Sequence, residues 1–460
     1  MTGITIARSR VGVRGAGRFG RWAGAAFVGA LVLGNAVAIT WLWVHGGNVA
    51  HLKRTGDVFT SIGRWTGLEG AYLALVQIVL LARIPALERA VGFDRLSRWH
   101  RWNGHACIDL IVLHVVFTVW GYALLDKYTL GKEISTMLGG GIYPGMITAT
   151  VGTGLLIAVV ATSLVIVRRR LSYEWWYAVH LAAYAGIALS WFHEIPTGNE
   201  LVLDHVAADY WRALYVATIG VIVAFRVGLP LAGFARYRLR VAEVTEEMFG
   251  VVSLRITGRN LDRLGAQSGQ FFLWRFLDRH RWWKSHPFSL SAAPDGRSLR
   301  ITVKALGDHT RGMHEIAPGT RVLAEGPLGV FTSDRRRRDR VLLVAGGIGI
   351  TPVRALLEEM DGDVVVVYRV VTEGEFVFRG ELDALAAERG ATIHYVAGDH
   401  RGPSGRELLS PRHLLELVPD LTDRDVFVCG PPAMTEAVEH SLRRAKVPRR
   451  NVYTERFALT

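Results

Sequence analysis

Four histidines in two apolar segments carry the clearest chemical information in this chain of 460 residues. His100 and His114 lie fourteen residues apart in one segment, and His180 and His193 lie thirteen apart in the other. An imidazole within a membrane span is costly, so it indicates a functional site. A rise of about 1.5 Å per residue separates each pair by roughly 20 Å. Two histidines on each of two helices can therefore supply two stacked bis-histidine haem sites, one near each face of a bilayer core about 30 Å thick.

The two segments differ in how well a straight helix directs both rings to one partner. Fourteen residues at about 100° each return to within about 40° of the starting face, whereas thirteen residues miss it by about 140°. The segment with His180 and His193 is therefore expected to bend, bulge or unwind, and Gly186 is a suitable place. One isolated histidine would be an ordinary satisfied polar residue, but this paired arrangement favours metal ligation. His105 breaks the pattern and is expected not to bind metal.

Long apolar runs before residue 232 predict six membrane-spanning helices that position these histidines. Glu69 interrupts the second run. Ala36-Val37-Ala38 resembles a signal cleavage site, but the apolar stretch around it is too long for a usual signal core, so a retained helix is expected. The predicted spans are 22–44, 65–83, 102–125, 146–167, 174–194 and 210–232.

The basic residues of the connecting loops predict the orientation of these spans. Sixteen Lys and Arg residues fall on one side, within 8–21, 83–101, 168–170 and 236–240, and four fall on the other. The richer side faces the cytoplasm. A multi-pass cell-membrane protein with both termini in the cytoplasm follows. His100 and His180 then form an inner pair, and His114 and His193 form an outer pair.

Composition excludes several other classes of site. Cys107 and Cys429 are the two cysteines, which excludes a disulfide framework, a four-cysteine zinc site and a cysteine-ligated iron–sulfur cluster. The formal charge of +13 is carried largely by residues that flank apolar spans, so a nucleic-acid partner is not expected. The expected partner is the lipid bilayer, and the sequence leaves the oligomeric state open.

Short alternating strands from residue 235 to 333 predict a small antiparallel β-barrel. A flavin needs hydroxyl and backbone donors at its ring and further donors at its pyrophosphate. Ser289 and Ser291, in the run His286-Pro287-Phe288-Ser289-Leu290-Ser291, are candidates for the ring. Lys304 and Thr310 are candidates for the pyrophosphate. Similar strings also occur in barrels that bind no ligand.

From residue 341 to 460 the pattern changes to a doubly wound α/β domain. Its first strand leads into a glycine-rich turn and a helix, which suits a phosphate at a helix N-terminus. Cys429 ends a later strand and is either near the ligand or a small buried hydrophobe. Arg369 is either a contact for a 2′-phosphate or a surface arginine. The remaining candidate cofactor contacts are Gly346, Gly347, Gly349, Thr351, Pro352, Gly430 and Pro431.

Together these motifs resemble the NADPH oxidase and ferric reductase superfamily. The histidine spacings resemble its membrane domain, and Arg64 and Arg83 resemble the arginines that bound the second helix, with Arg64 near the outer haem. HPFSLS and GDHT resemble its flavin and pyrophosphate segments, and GGIGITP and CGPPAM its nicotinamide motifs. Glu455-Arg456-Phe457 resembles an ending in which an aromatic ring shields the flavin. The chain departs from the superoxide-producing members at Thr118, where they carry a further histidine, and it continues three residues past Phe457.

The resemblance implies a transmembrane oxidoreductase with three domains, 1–232, 235–333 and 341–460. NADPH or NADH would pass hydride to FAD, with Ser289, Cys429, Glu455 and Phe457 beside the transfer path. Electrons would then cross two b-type haems to an external acceptor, ferric iron or oxygen. Ferric reductase-like activity is the favoured expectation. The alternatives are a superoxide-generating NADPH oxidase and a non-enzymatic transporter with a nucleotide-binding regulatory domain.

Overall fold

A computed structural model of the protein describes residues 18–50, 52–139, 141, 143–164, 167, 170–171, 173–197, 199–399, 402 and 407–456. The chain divides into two compact units between Gly228 and Leu229. The first unit is helical, and the second combines strands and helices. Several predicted functional or topogenic residues lie outside the described residues: Phe457, Arg8, Arg10, Arg14, Arg168 and Arg169.

The apolar runs of the first unit form helices, since every backbone polar group in a membrane must be bonded within its own segment. Two π-helical turns, Val44–Asn48 and Ile222–Gly228, continue the first and last of them. The helices are α1 (Arg18–Trp43), α2 (Thr55–Leu80), α3 (Pro85–Val91), α4 (Phe93–Asp126), α5 (Leu130–Gly139), α6 (Met146–Ser163), α7 (Tyr173–Thr197), α8 (Asn199–Val202) and α9 (His205–Val221).

Four described stretches are long and apolar enough to cross a membrane, and α2 with α3 makes a fifth candidate bent by 92°. A helical region with several apolar spans is therefore confirmed. The helix that carries His180 and His193, α7, is not among these candidates, so six spans are not shown. The four stretches are Ala23–Asn48, Arg95–Asp126, Met146–Ser163 and His205–Tyr237.

The second helix corrects the predicted span 65–83. It begins ten residues earlier, at Thr55, so Arg64 lies inside α2 instead of at its boundary. Glu69 is buried, and the Thr40 hydroxyl of α1 donates a hydrogen bond to its carboxylate at 3.0 Å. The Trp65 indole donates to the same hydroxyl at 2.9 Å. This helix tolerates a carboxylate because α1 supplies a polar partner.

The second unit opens with α10 (Leu229–Tyr237) and an antiparallel barrel, as predicted. Its six strands form two three-stranded sheets, in the orders β1-β2-β5 and β4-β3-β6. Trp274, Phe272 and Leu254 are among the buried residues that fill its core. The strands are β1 (Arg240–Met248), β2 (Val251–Thr257), β3 (Phe271–Phe276), β4 (His286–Ser289), β5 (Ser298–Lys304) and β6 (Val322–Leu328), and the short helix α11 (Asp308–Arg311) follows β5.

The predicted parallel α/β domain is also confirmed. Five parallel strands lie in the order β11-β10-β7-β8-β9, so the strand order reverses between β7 and β10. Ligands bind at such a switch point, beyond the carboxyl ends of the strands. The elements are β7 (Arg340–Gly346), α12 (Ile350–Glu359), β8 (Asp363–Val370), α13 (Arg379–Arg389), β9 (Thr392–Ala397), α14 (Pro411–Leu417), β10 (Asp425–Gly430), α15 (Pro432–Arg444) and β11 (Val452–Arg456).

Candidate haem, flavin and nucleotide sites

The predicted inner histidine pair comes together between α4 and α7. The ring centroids of His100 and His180 are 6.0 Å apart, with 48° between the ring planes. His100 Nδ1 lies 3.1 Å from the Gln77 carbonyl oxygen. His180 Nδ1 lies 3.5 Å from the Ser163 hydroxyl, which is a weaker contact. Metal–imidazole bonds of about 2 Å on each side fit a ring separation of this size.

The predicted outer histidines each face a backbone carbonyl. His114 Nδ1 lies 2.8 Å from the Gly63 oxygen of α2, and His193 Nδ1 lies 3.3 Å from the Pro144 oxygen. A ligating histidine commonly donates its other ring N–H to such an acceptor, which fixes the tautomer and the ring orientation. In this tautomer Nε2 carries the lone pair that a metal requires. The donor set of both pairs therefore fits haem iron.

A close approach of α2 to α4 makes the His114 contact possible. A Cβ added at Gly67 would lie 2.6 Å from His114 Nδ1, and one at Gly63 would lie 2.5 Å from the Thr118 hydroxyl. Small residues at such spacing let membrane helices pack backbone to backbone. The sequence analysis missed these glycines, although Gly63, Gly67 and Gly70 repeat at helical intervals in the printed sequence.

Helix α7 corrects the expectation of a bulge or unwinding at Gly186. The helix is continuous from Tyr173 to Thr197. Gly186 instead faces α6, where an added Cβ would lie 3.0 Å from the Gly152 carbonyl oxygen. This glycine serves helix packing. His105, on α4, has an exposed side chain.

Arg64 follows Gly63 on α2, and the Gly63 carbonyl is the one that His114 contacts. Its guanidinium donates to Asn48 Oδ1 and to the Tyr122 hydroxyl, both at 3.4 Å. Both bonds are long, and no ion pair of Arg64 is found among the described residues. Its remaining donors are suited to an anionic group near the outer histidines.

The flavin motif forms β4, the edge strand of its sheet. His286 pairs with Trp274 of β3, and Ser289 pairs with Phe271, in antiparallel register. The Trp274 indole donates to the Phe288 carbonyl at 2.9 Å, which fixes the strand. The Ser289 hydroxyl is buried and has no hydrogen-bond partner among the described residues. A buried hydroxyl without a partner is costly, so it fits a ligand that supplies the missing bond.

The other predicted flavin contacts have partners within the protein. The Ser291 hydroxyl accepts a hydrogen bond from Thr302 at 2.8 Å inside the barrel. Lys304 pairs with Glu375 of the α/β domain at 3.0 Å. The Thr310 hydroxyl accepts bonds from the Leu306 and Gly307 amides at 2.9 and 3.0 Å. Their contacts with FAD stay predictions.

The glycine-rich turn lies at the switch point of the parallel sheet. Gly347 has a φ of 54°, and an added Cβ there would meet only open space. Gly349 has no room for a side chain, because a Cβ would lie 2.4 Å from the Cys429 carbonyl oxygen. The turn leads directly into α12, where Thr351 and Pro352 are buried. A glycine-rich turn with open space at Gly347, directly before a helix N-terminus, suits a pyrophosphate.

Cys429 and Glu455 are neighbours on β10 and β11. Cys429 is fully buried, and burial raises the pKa of its thiol, which the charge of Glu455 raises further. The thiol therefore stays protonated at neutral pH. Gly430 and Pro431 follow it and lead into α15, with Gly430 packed against Gly346.

Arg369 lies at the carboxyl end of β8, in register with Gly346 of the turn. It donates to the Gly398 carbonyl at 3.2 Å, while its buried Nε has no partner among the described residues. Burial lowers the pKa of this guanidinium. An anion beside the glycine-rich turn would satisfy it.

A charged network missed by the sequence analysis joins the barrel to the α/β domain. Arg300 of β5 contacts both Glu381 oxygens at 2.9 Å, and Arg354 of α12 contacts Glu381 at 2.7 Å. Both arginines also donate to the Ser291 carbonyl, at 3.0 and 3.2 Å. The flavin motif and the helix after the glycine-rich turn are thus fixed to each other. No local sequence signal marks this network, because its members lie far apart in the chain.

Three family models match successive parts of the chain. Residues 66–191 match the ferric reductase like transmembrane component, 236–332 match the FAD-binding domain, and 343–440 match the oxidoreductase NAD-binding domain. The order of these matches agrees with the order of the sites described above.

Curated relatives and solved structures match smaller parts of the chain. Ferredoxin–NADP reductase B of Sorangium cellulosum is 30% identical over 187 residues, which is 37% of this chain and 77% of that protein. The ferredoxin reductase component of 3-ketosteroid-9-alpha-monooxygenase of Mycolicibacterium smegmatis is 32% identical over 48% of this chain and 65% of its own length. The FAD/NAD binding domain of a nitric oxide dioxygenase from Vibrio cholerae is 24% identical, with a TM-score of 0.41 over 48% of this chain and 98% of its own.

Gly67→Ala should destabilise the helical unit, because the new methyl group would overlap the His114 ring. Overpacking of this kind costs about 1–3 kcal/mol. Gly154→Ala on α6 is the matched control, since its Cβ would meet open space. Thermal unfolding in detergent should show a lower midpoint for Gly67→Ala and an unchanged or raised one for the control. Equal midpoints would contradict the described packing of α2 on α4.

Proposed function

Because the chain belongs to the ferric reductase and NADPH oxidase superfamily, we propose that it carries electrons from cytoplasmic NAD(P)H through FAD and two b-type haems to an external acceptor. The protein is an NAD(P)H- and FAD-dependent membrane oxidoreductase of the ferric reductase type. The oxidoreductase domains leave no support for a non-enzymatic transporter.

The proposed topology has six spans in residues 1–232, followed by the flavin domain 235–333 and the nucleotide domain 341–460. Sixteen basic loop residues against four support a cytoplasmic position for both termini and for the two cofactor domains. The nicotinamide donor is then on the side where the cell supplies it. His114 and His193 are nearest the exterior.

The histidine geometry carries the proposal. His100 and His180 face each other at 6.0 Å on two different helices. His100 and His114 each direct Nδ1 to a backbone carbonyl and leave Nε2 for a metal. His193 also directs Nδ1 to a carbonyl, and the Thr197 hydroxyl lies 3.4 Å from its Nε2. A hydrogen bond from Nδ1 is the contact that orients a histidine which binds metal through Nε2.

When bound, FAD accepts a hydride and releases single electrons, and the haems relay them. The protein supplies positions and polar contacts for this chemistry. Ser289 offers its hydroxyl to the flavin ring, and Phe457 is proposed to cover that ring. Gly347 and Gly349 shape the turn for the nucleotide pyrophosphate. Cys429 and Glu455 border the place where nicotinamide and flavin meet, and the protonated thiol there adds no charge.

Ferric iron is the proposed acceptor class, with oxygen as the alternative. The superoxide-producing members carry a second histidine at the position of Thr118. Here the Thr118 hydroxyl lies 3.4 Å from His114 Nδ1 and supports the ligand without adding a second imidazole. This difference supports ferric reduction over superoxide production.

Sealed vesicles test the whole route. With the cytoplasmic face outward, added NADPH should reduce an impermeant ferric chelate trapped inside, and the same chelate outside should be reduced only slowly. Oxygen with and without superoxide dismutase identifies the alternative acceptor. Fast reduction outside with none inside would show that electrons do not cross the membrane.

His114→Ala should remove the outer haem and retain the inner one, because it deletes one axial ligand of the outer site. The haem-to-protein ratio of the purified protein should fall from two to one. His105→Ala is the control on the same helix, and its haem content should not change. Two haems with unaltered spectra in His114→Ala would overturn the ligand assignment.

Arg369→Ala should raise the KM for NADPH more than the KM for NADH, since only NADPH carries a 2′-phosphate. A charge-assisted hydrogen bond contributes about 1.5–3 kcal/mol, and at about 1.4 kcal/mol per tenfold this is roughly 10- to 150-fold. Arg412→Ala, an exposed residue paired with Glu416 in the same domain, is the control. Equal effects on both donors would remove Arg369 from cofactor discrimination.

A further inference from the structure

Two adjacent tryptophans project from the flavin barrel between β3 and β4. Trp282 and Trp283 are 60% and 52% exposed. They belong to the segment Leu277–Ser285, called here the Trp loop, which ends directly before the flavin strand β4. Exposed apolar side chains that form one continuous patch are candidates for a contact surface.

The Trp loop has a fixed conformation. Asp278 Oδ1 accepts from the His280 and Arg281 amides at 2.9 and 2.7 Å. The Arg281 guanidinium is 8% exposed and binds Asp278 Oδ2 at 2.5 Å and Glu315 at 3.1 Å. These bonds tie the loop to the barrel and leave the two indoles outside. The tryptophans therefore cannot reach the barrel core.

The Trp loop lies at the edge of the barrel where the chain arrives from its last apolar span. That span ends at Tyr237. The Val322 amide then donates to the Leu239 carbonyl, and the Leu277 amide donates to the Arg321 carbonyl, each at 2.9 Å. Leu277, where the loop begins, is thus two strand spacings, about 10 Å, from Leu239.

Exposed arginines surround this edge. The nearby carboxylates Asp278 and Glu315 are both engaged by Arg281, so the edge carries positive charge. Arginine beside an anionic leaflet is attracted to the surface, and tryptophan favours the level of the lipid headgroups. The exposed arginines are Arg236, Arg238, Arg240, Arg279 and Arg321.

We propose that the Trp loop inserts Trp282 and Trp283 into the headgroup region of an anionic leaflet, with the surrounding arginines on the lipid phosphates. A lipid surface fits better than a protein partner because the loop lies at the same end of the barrel as the chain that leaves the last apolar stretch, and exposed arginines lie beside it. The inference goes beyond electron transfer and does not depend on which acceptor is reduced.

The test uses the full-length protein with its cofactors, in nanodiscs of phosphatidylcholine and phosphatidylglycerol. A nitroxide is attached at Trp283→Cys, and its collisions with oxygen and with a water-soluble nickel chelate are compared. Cys107 and Cys429 are buried, so the new thiol is the one labelled. The label should collide more with oxygen than with the nickel chelate, as expected for a lipid environment.

Phe249→Cys is the matched control. Phe249 is 98% exposed at the far end of β1, about 30 Å of strand from Arg240. Glu246 and Glu247 precede it in the chain. Its label should collide freely with the nickel chelate. If the label at 283 behaves like the one at 249, or is shielded from both reagents by protein, the proposal is wrong.

Hydrogen exchange of the unsubstituted protein gives a second measurement that needs no labelled variant. The backbone amides of the Trp loop should exchange more slowly in mixed nanodiscs than in nanodiscs of phosphatidylcholine alone. The turn around Phe249 should exchange equally in both. Equal exchange of the Trp loop in the two lipids would remove the anionic leaflet as its partner.

Discussion

A histidine inside a membrane helix has two ring nitrogens, and each needs a partner where water is absent. This requirement governs the helical unit. One nitrogen of His114 is held by the Gly63 carbonyl, which demands that α2 and α4 approach at backbone distance. That approach in turn requires glycine at Gly67. The second nitrogen is left for a metal, so the packing of the bundle and the proposed haem chemistry have one physical origin.

In the second unit, ion pairs fix the flavin barrel and the nucleotide domain to each other. Glu381 forms ion pairs with Arg300 of the flavin barrel and with Arg354 of the nucleotide domain. Both arginines also donate hydrogen bonds to the Ser291 carbonyl. Arg354 is buried, whereas Glu381 is 37% exposed, so solvent screens these bonds in part. The flavin strand and the helix that follows the glycine-rich turn are therefore both positioned by contacts with Glu381 and its two arginines. Hydride transfer needs the nicotinamide and flavin rings at a fixed separation. The Glu381 carboxylate contributes to that alignment because it pairs with an arginine of each domain.

Local patterns in the sequence were sufficient to predict much of the fold and of the candidate sites. The histidine spacings, the alternation of the barrel strands and the glycine-rich turn all depend on residues close in the chain. The sequence misplaced the start of α2, because hydropathy averages over Glu69 and cannot anticipate that Thr40 will bond it. It also named Gly186 as a suitable place for a bend, bulge or unwinding, whereas the helix is continuous there and Gly186 faces Gly152 of another helix. Lys304 pairs with Glu375, which lies too far along the chain for a local motif to predict the contact.

The junction at Tyr237 has a further consequence. Two residues separate α10 from β1, and the Arg259 amide donates to the Tyr237 carbonyl at 2.6 Å, so the helix that completes the last apolar stretch leads directly into the barrel. The membrane domain and the cofactor domains belong to one chain, so they are present in a one-to-one ratio. Turnover per molecule should accordingly be independent of dilution, because the cofactor domains and the membrane domain need no diffusional encounter.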